Sequence, residues 1–103
     1  MDKRKMAPVH PGEVLAEDYL ADLGITPYRL AKETHMPASR VNAILHGRRA
    51  VTADTALRLA RYLGGSAVFW LNLQARYDLD IAEDNREDEL ASITPLTREP
   101  AVA

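Results

Sequence analysis

The sequence of 103 residues contains no cysteine, which excludes disulfide bonds and thiolate metal sites and suits a reducing cytosol. It also lacks a long hydrophobic run, since the longest spans only Ala67 to Leu71, whereas roughly 18 apolar residues are needed to cross a bilayer. The N-terminus has no hydrophobic export segment. These absences predict a soluble, cytoplasmic protein with no membrane partner.

Sequence motifs typical of catalytic and metal-binding sites are missing as well. The sequence has no nucleophile motif and no glycine-rich phosphate loop, and its three histidines lack the spacing of a metal site. The acidic side chains of Glu13, Glu17 and Asp18 indicate a solvated or partner-facing helix surface rather than a catalytic pair. We therefore predict no catalytic residues, no metal and no cofactor, and a protein that is not an enzyme.

The charge of the chain is small in sum but unevenly distributed. The formal net charge is −2, which does not by itself favour nucleic-acid binding. Residues 26–50, however, carry five basic residues against the single acid Glu33, a net +4, and residues 78–103 carry eight acids against two bases, a net −6. The positive charge is therefore concentrated in one short stretch.

Helix start and stop signals in the first part of the chain predict two helices. The first has His10 or the preceding residue as N-cap and Pro11 at its first helical position, and Gly24 ends it. The second is capped by Thr26 and ends near residue 35, because a proline at position 37 disfavours the α conformation of the residue before it.

Three further helices follow, which makes the predicted fold all-α. The third covers residues 38–46 and ends at Gly47, the fourth follows Thr52, and the fifth is capped by Ser66 and covers residues 67–84. Apolar residues at helical spacing form the predicted core-facing stripes of the first and fourth helices: Leu15, Tyr19, Leu20, Leu23, Ala56, Leu57, Leu59, Ala60 and Leu63.

The third helix carries small and hydrogen-bonding groups on the face opposite its core residues Val41 and Ile44. Asparagine pairs with adenine and arginine with guanine in the major groove, and small side chains leave room for base edges and thymine methyl groups. The side chains predicted to read bases are Ser39, Arg40, Asn42, Ala43 and His46.

The basic residues around this helix are candidates for phosphate contacts. Arg29 lies in the first turn of its helix, where a cation opposes the helix dipole but a phosphate favours it. The alternative is an ordinary solvated basic face. The side chains predicted to bind phosphates are Thr26, Arg29, Lys32, Arg48 and Arg49.

The spacing T-P-Y-R-L-A-K-x(5)-A-S-R-V-x-x-I-x-x-G-R-R resembles the lambda-repressor-like (Xre/Cro) helix-turn-helix superfamily. Four blocks together resemble the HigA-like antitoxins of bacterial toxin–antitoxin modules: HPGEVL at 10–15, RLAK at 29–32, SRVNAILHGRRAVTADTALRLARYLG at 39–64 and FWLNLQARYDL at 69–79. The sequence departs from the superfamily at two places, with His35 where the turn usually has glycine and Pro37 where a Ser or Thr cap is usual.

The resemblance implies a five-helix, lambda-repressor-like DNA-binding domain with a flexible N-terminal arm and a C-terminal tail. We predict an arm at residues 1–9, the helix-turn-helix domain at 10–84 and an acidic tail at 85–103. The resemblance further implies an antitoxin of a type II module that binds double-stranded operator DNA as a homodimer, represses its own operon and neutralises an mRNA-cleaving, HigB-like ribonuclease toxin. The alternatives are a solitary Xre-family transcriptional regulator and a protein-binding helical adaptor.

Three features of the sequence each allow two interpretations. The stripe of Phe69, Trp70, Leu73 and Tyr77 either closes the core or forms part of a dimer seam. The basic residues at positions 3 to 5 form either an arm that follows DNA or a solvated terminus. The acidic C-terminal third either attracts a basic toxin or only keeps the protein in solution.

Overall fold

The computed structural model describes residues 7–97, so the predicted contacts of Lys3, Arg4 and Lys5 lie outside the described residues. Between residues 7 and 97 the chain forms five helices and no β-strand, which confirms the predicted all-α fold. No helix in this range is both long and apolar enough to cross a membrane.

The first helix, α1, begins with the predicted cap. The Nδ1 atom of His10 accepts a hydrogen bond from the N–H of Gly12 at 2.9 Å, and Gly24 ends the helix in the left-handed conformation (φ 68°). Burial lowers the pKa of His10, against the opposing effects of the Asp78 charge and a backbone hydrogen bond with Arg49. The sequence did not predict that the middle of α1 is π-helical; its three consecutive segments are Pro11–Val14, Leu15–Leu20 (π) and Ala21–Leu23.

The other four helices begin where predicted, three of them after a predicted cap. Thr26, Thr52 and Ser66 each accept a hydrogen bond from the backbone N–H three residues on, which satisfies one of the free donors at a helix start. These helices are α2 Pro27–Thr34, α3 Ala38–Leu45, α4 Ala53–Leu63 and α5 Ala67–Ala91.

Helix α5 extends seven residues beyond its predicted end at Asp84 and reaches Ala91. Arg86 has non-helical backbone angles (φ −125°, ψ 19°), which mark a kink. The acidic residues between positions 78 and 89 therefore lie on a helix rather than on an irregular tail.

The core is formed by apolar side chains from all five helices and from the turns between them. Two residues of the predicted stripes are not part of it, since Leu23 is 59% exposed and Leu57 is 62% exposed. Leu57 lies at the edge of its stripe, and Leu23 is the last residue of α1. The buried apolar residues are Leu15, Leu20, Leu30, Ala31, Met36, Val41, Ile44, Val51, Ala56, Leu59 and Trp70.

Two close contacts place α3 and the segment that follows it. A Cβ atom on Gly12 would lie 1.8 Å from the carbonyl oxygen of Ile44, so α1 and α3 approach each other more closely than any side chain at position 12 allows. The buried Gln74 accepts a hydrogen bond from the N–H of Val51 at 2.7 Å and donates one to Asp78 at 2.9 Å. The first contact fixes α3 on α1, and the second ties the α3–α4 loop to α5.

Candidate nucleic-acid interface

The turn between α2 and α3 uses a non-glycine residue in the left-handed conformation. His35 has φ 59° and ψ 40°, as the sequence departure at this position suggested. Met36 follows it into the core, and its N–H donates to the carbonyl of Ala31 at 3.0 Å. Pro37 precedes α3 without a side-chain cap, so this turn lacks both of the usual local stabilising features.

The outer face of α3 is available to a ligand. Val41 and Ile44 are buried, as predicted, and this orients the opposite face toward solvent. Of the predicted base-reading residues on that face, Ser39, Asn42 and His46 are exposed and Ala43 is partly exposed. The structure therefore brings these four side chains together on one surface.

The imidazole of His46 is held against its own helix. Its Nδ1 atom lies 2.8 Å from the carbonyl oxygen of Asn42. A carbonyl can only accept a hydrogen bond, so Nδ1 carries the proton and Nε2 is left as the acceptor of the neutral ring. A neutral His46 thus presents an acceptor to a ligand, and a protonated one presents a second donor.

The predicted phosphate-binding side chains come before and after α3 along the chain. Thr26 accepts the N–H of Arg29 at 3.0 Å, which leaves the hydroxyl proton of Thr26 free to donate. Arg29 and Lys32 are exposed on α2. Gly47 ends α3 in the left-handed conformation (φ 73°), and the exposed Arg48 and Arg49 follow directly.

Arg40 differs from the other predicted base-reading residues because its guanidinium already has a partner. It donates to Asp54 Oδ2 at 2.8 Å, and only 23% of its side chain is exposed. Asp54 also accepts a hydrogen bond from Arg58 Nε at 3.0 Å. The hydrogen bonds from Arg40 and then Arg58 hold the pKa of Asp54 below its ordinary value.

Sequence reasoning did not single out three residues at this interface. Tyr28 is 73% exposed in the first turn of α2, between Thr26 and Arg29, and its position two residues after the capping threonine was the available signal. Asp54 and Arg58 belong to α4, and their four-residue spacing indicates an ion pair within the helix. Nothing in that spacing points to Arg40 as a second partner.

The four residues of the predicted dimer seam have different environments. Trp70 is 1% exposed and Phe69 is 40% exposed, while Leu73 and Tyr77 are half-buried. The rings of Trp70 and Tyr19 lie 5.2 Å apart, so Trp70 closes the core, which was the other interpretation of the stripe. Leu73 packs against the core, the ring of Tyr77 lies 4.8 Å from that of His10, and Phe69 is the most exposed of the four.

The family assignment rests on the segment that contains this interface. A sequence model described as helix-turn-helix matches residues 17–70, which include α2, the turn, α3 and α4. The chain belongs to this helix-turn-helix family. Its relatives include Virulence-associated protein I of Dichelobacter nodosus, 47% identical over 92% of this chain and 87% of that protein.

Two further relatives of this helix-turn-helix protein are antitoxins. Antitoxin HigA-1 of Vibrio cholerae is 34% identical over 93% of this chain and 90% of that protein. The structure of Pseudomonas aeruginosa antitoxin HigA with the higBA promoter matches at a TM-score of 0.84 and 40% identity, over 87% of this chain and 99% of that one. These findings confirm the predicted HigA-like family and its five-helix fold. Because this is a family of regulators and antitoxins, the prediction that the protein is not an enzyme is also confirmed.

Proposed function

We propose that this helix-turn-helix protein is a cytoplasmic antitoxin that binds double-stranded operator DNA as a homodimer, represses its own operon and neutralises a HigB-like, mRNA-cleaving toxin. The observation that carries the proposal is the exposed polar face of α3, with exposed cations on the preceding helix and directly after α3. The P. aeruginosa HigA structure with its promoter supports it, because that relative shares the fold at 40% identity.

In this proposal, α3 enters the major groove and its outer face reads base edges. Asn42 pairs with adenine through both groups of its amide, and His46 accepts a hydrogen bond from a base at Nε2. Ser39 and Ala43 allow close approach to the bases. Phosphates on either side are bound by the hydroxyl of Thr26 and by the cationic side chains around α3: Arg29, Lys32, Arg48 and Arg49.

A homodimer explains how one short helix achieves specificity. Two copies related by a two-fold axis place their α3 helices about 34 Å apart, one turn of DNA, on a palindromic operator. The partly exposed stripe of Phe69, Leu73 and Tyr77 on α5 is the proposed seam. Light scattering that reports a monomer at micromolar concentration is evidence against it.

The DNA-binding proposal is tested by comparing a base-reading with a phosphate-binding side chain. Asn42→Ala is expected to lower operator affinity by about 1–3 kcal/mol and to relax sequence preference at one base pair. Arg48→Ala is expected to weaken binding to operator and unrelated duplexes alike and to reduce the slope of log K against log salt by about one. Both are measured by titrating a duplex from the region upstream of the protein's own gene.

Arg76→Ala is the matched control, because Arg76 is an exposed arginine on α5, outside the helix-turn-helix. It is expected to bind the duplex as wild type does. If Asn42→Ala retains wild-type affinity and base preference, α3 does not read DNA in the proposed way.

Toxin neutralisation is supported by the charge of α5 together with the HigA-like family. The C-terminal half of this helix exposes a concentration of carboxylates, which attracts a basic partner before contact is made. In this proposal the partner is a small basic ribonuclease encoded by a neighbouring reading frame. A gene without such a neighbour favours the alternative, a solitary transcriptional regulator.

The charge of α5 is tested without shortening the helix. The combined variant Glu87→Gln, Asp88→Asn and Glu89→Gln is expected to lower the association rate constant with the toxin several-fold at low salt, and the difference is expected to vanish at high salt. Stopped-flow mixing measures both conditions. Equal rates at low salt would mean that this end of α5 only keeps the protein in solution.

A further inference from the structure

Three side chains from α3 and α4 form a continuous set of polar contacts that ends on the backbone of the α2–α3 turn. Asp54 Oδ2 accepts from Arg40 at 2.8 Å and from Arg58 at 3.0 Å. Arg58 Nη1 donates to the carbonyl oxygens of Thr34 at 3.1 Å and of His35 at 3.3 Å. Arg40, Asp54 and Arg58, here called the clamp, thus connect the start of α3 to the end of α2.

The clamp acts where the turn has no local stabilisation of its own. His35 adopts a left-handed conformation (φ 59°) that costs energy in any residue with a Cβ atom, and Pro37 gives α3 no side-chain cap. The last carbonyls of a helix need partners from outside it, and a cation near them favours the helix dipole. Arg58 supplies both the hydrogen-bond partner and the positive charge at the end of α2.

The guanidinium of Arg40 lies against the protein rather than extending from it. Its Nε atom is buried without a hydrogen-bond partner, in the part of the chain that the structure describes, and its side chain is 23% exposed. An arginine that reads guanine must extend a free pair of N–H donors into the groove. The orientation seen for Arg40 therefore suits an internal contact.

We propose that Arg40 and Asp54 are positioning residues, which set the angle of α3 on DNA through their ion pair, with Arg58 anchoring that pair to the turn. The inference rests on the proposed function, since it concerns how the α2–α3 surface is presented to an operator. Arg40 then contributes to sequence recognition through Asp54 and not by contact with a base.

A double-mutant cycle on the full chain tests the proposal. The quantity measured is the ratio of affinities for the upstream duplex and for an unrelated duplex of equal length, at a temperature where circular dichroism shows every variant folded. Arg40→Ala and Asp54→Ala are each expected to lower this ratio by about tenfold. The double variant is expected to lower it no further, because the two residues act as a unit.

The salt dependence distinguishes positioning from contact. Arg40→Ala is expected to keep the wild-type slope of log K against log salt, whereas Arg48→Ala reduces it by about one. Arg40→Lys, which can still pair with Asp54, is expected to recover most of the ratio. A merely structural role would lower the melting temperature and leave the ratio measured on folded protein unchanged.

Besides an unchanged ratio on folded protein, two further results would overturn the proposal. One is that Arg40→Ala lowers the ratio while Asp54→Ala keeps it at the wild-type value; the other is that Arg40→Ala reduces the salt slope by as much as Arg48→Ala does. Either result assigns Arg40 to DNA contact. If the wild-type protein shows no preference for the upstream duplex in the same titration, the proposed function fails instead, and the two failures are thereby distinguished.

Discussion

Trp70→Ala is expected to lower the free energy of unfolding by about 3–5 kcal/mol. The indole is 1% exposed and packs against the rings of Tyr19 at 5.2 Å and Phe69 at 5.1 Å. Removing it leaves a cavity between α1 and α5 that the neighbouring helices fill only in part. Since domains of this size have total stabilities of about 5–15 kcal/mol, the variant loses a large share of its stability. Urea unfolding followed by circular dichroism measures the loss.

Phe69→Ala is the control for the Trp70 prediction. Phe69 is adjacent in sequence but 40% exposed, so its truncation is expected to cost clearly less stability within one copy and, under the dimer proposal, to weaken self-association. Light scattering separates the two effects. If instead Trp70→Ala remains as stable as wild type and only the dimer dissociates, Trp70 belongs to the seam rather than to the core.

Gly12→Ala is expected to destabilise the protein by about 3 kcal/mol, at the upper end of the cost of overpacking. The new Cβ atom would lie 1.8 Å from the carbonyl oxygen of Ile44 and 2.7 Å from its carbonyl carbon. Both are backbone atoms that cannot rotate away, so α1 and α3 must separate. Under the proposed function, the displacement of α3 also lowers operator affinity.

The predicted loss of stability is opposite to the usual effect of replacing a helical glycine with alanine. Alanine favours a helix over glycine by about 1 kcal/mol, and an isolated α1 peptide is expected to gain helicity from Gly12→Ala. Gly24→Ala serves as the control, because its Cβ atom meets no other atom within 4 Å and only its left-handed backbone is strained, at a cost of about 1–2 kcal/mol. A Gly12→Ala protein that melts above wild type would disprove the close approach of α1 and α3.

The positions of the helices could be predicted well from the sequence because their signals are local. Thr26, Thr52 and Ser66 cap the helix starts as predicted, and Gly24 and Gly47 have the left-handed conformation that ends a helix. Each of these signals depends on hydrogen bonds within a few residues. The helical periodicity of apolar residues correctly placed Val41 and Ile44 in the core, and this predicted which face of α3 is the candidate DNA-reading face.

The predictions that failed depend on neighbours in space. Leu23 and Leu57 fit the apolar stripes but are exposed, because the spacing of a stripe does not show which of its residues a neighbouring helix covers. The predicted C-terminal end of α5 was also wrong. The helix continues to Ala91 through a run of acidic residues that carries no stop signal.

The sequence by itself determined the all-α class, the helix starts, the family and the polar outer face of α3. Only the tertiary structure decided that Arg40 pairs with Asp54, 14 residues away, that Gln74 holds Val51 across 23 residues, and that Gly12 contacts the backbone of Ile44. The physical reason is range: capping and periodicity are set by neighbours along the chain, whereas these contacts exist only after separate helices have packed together.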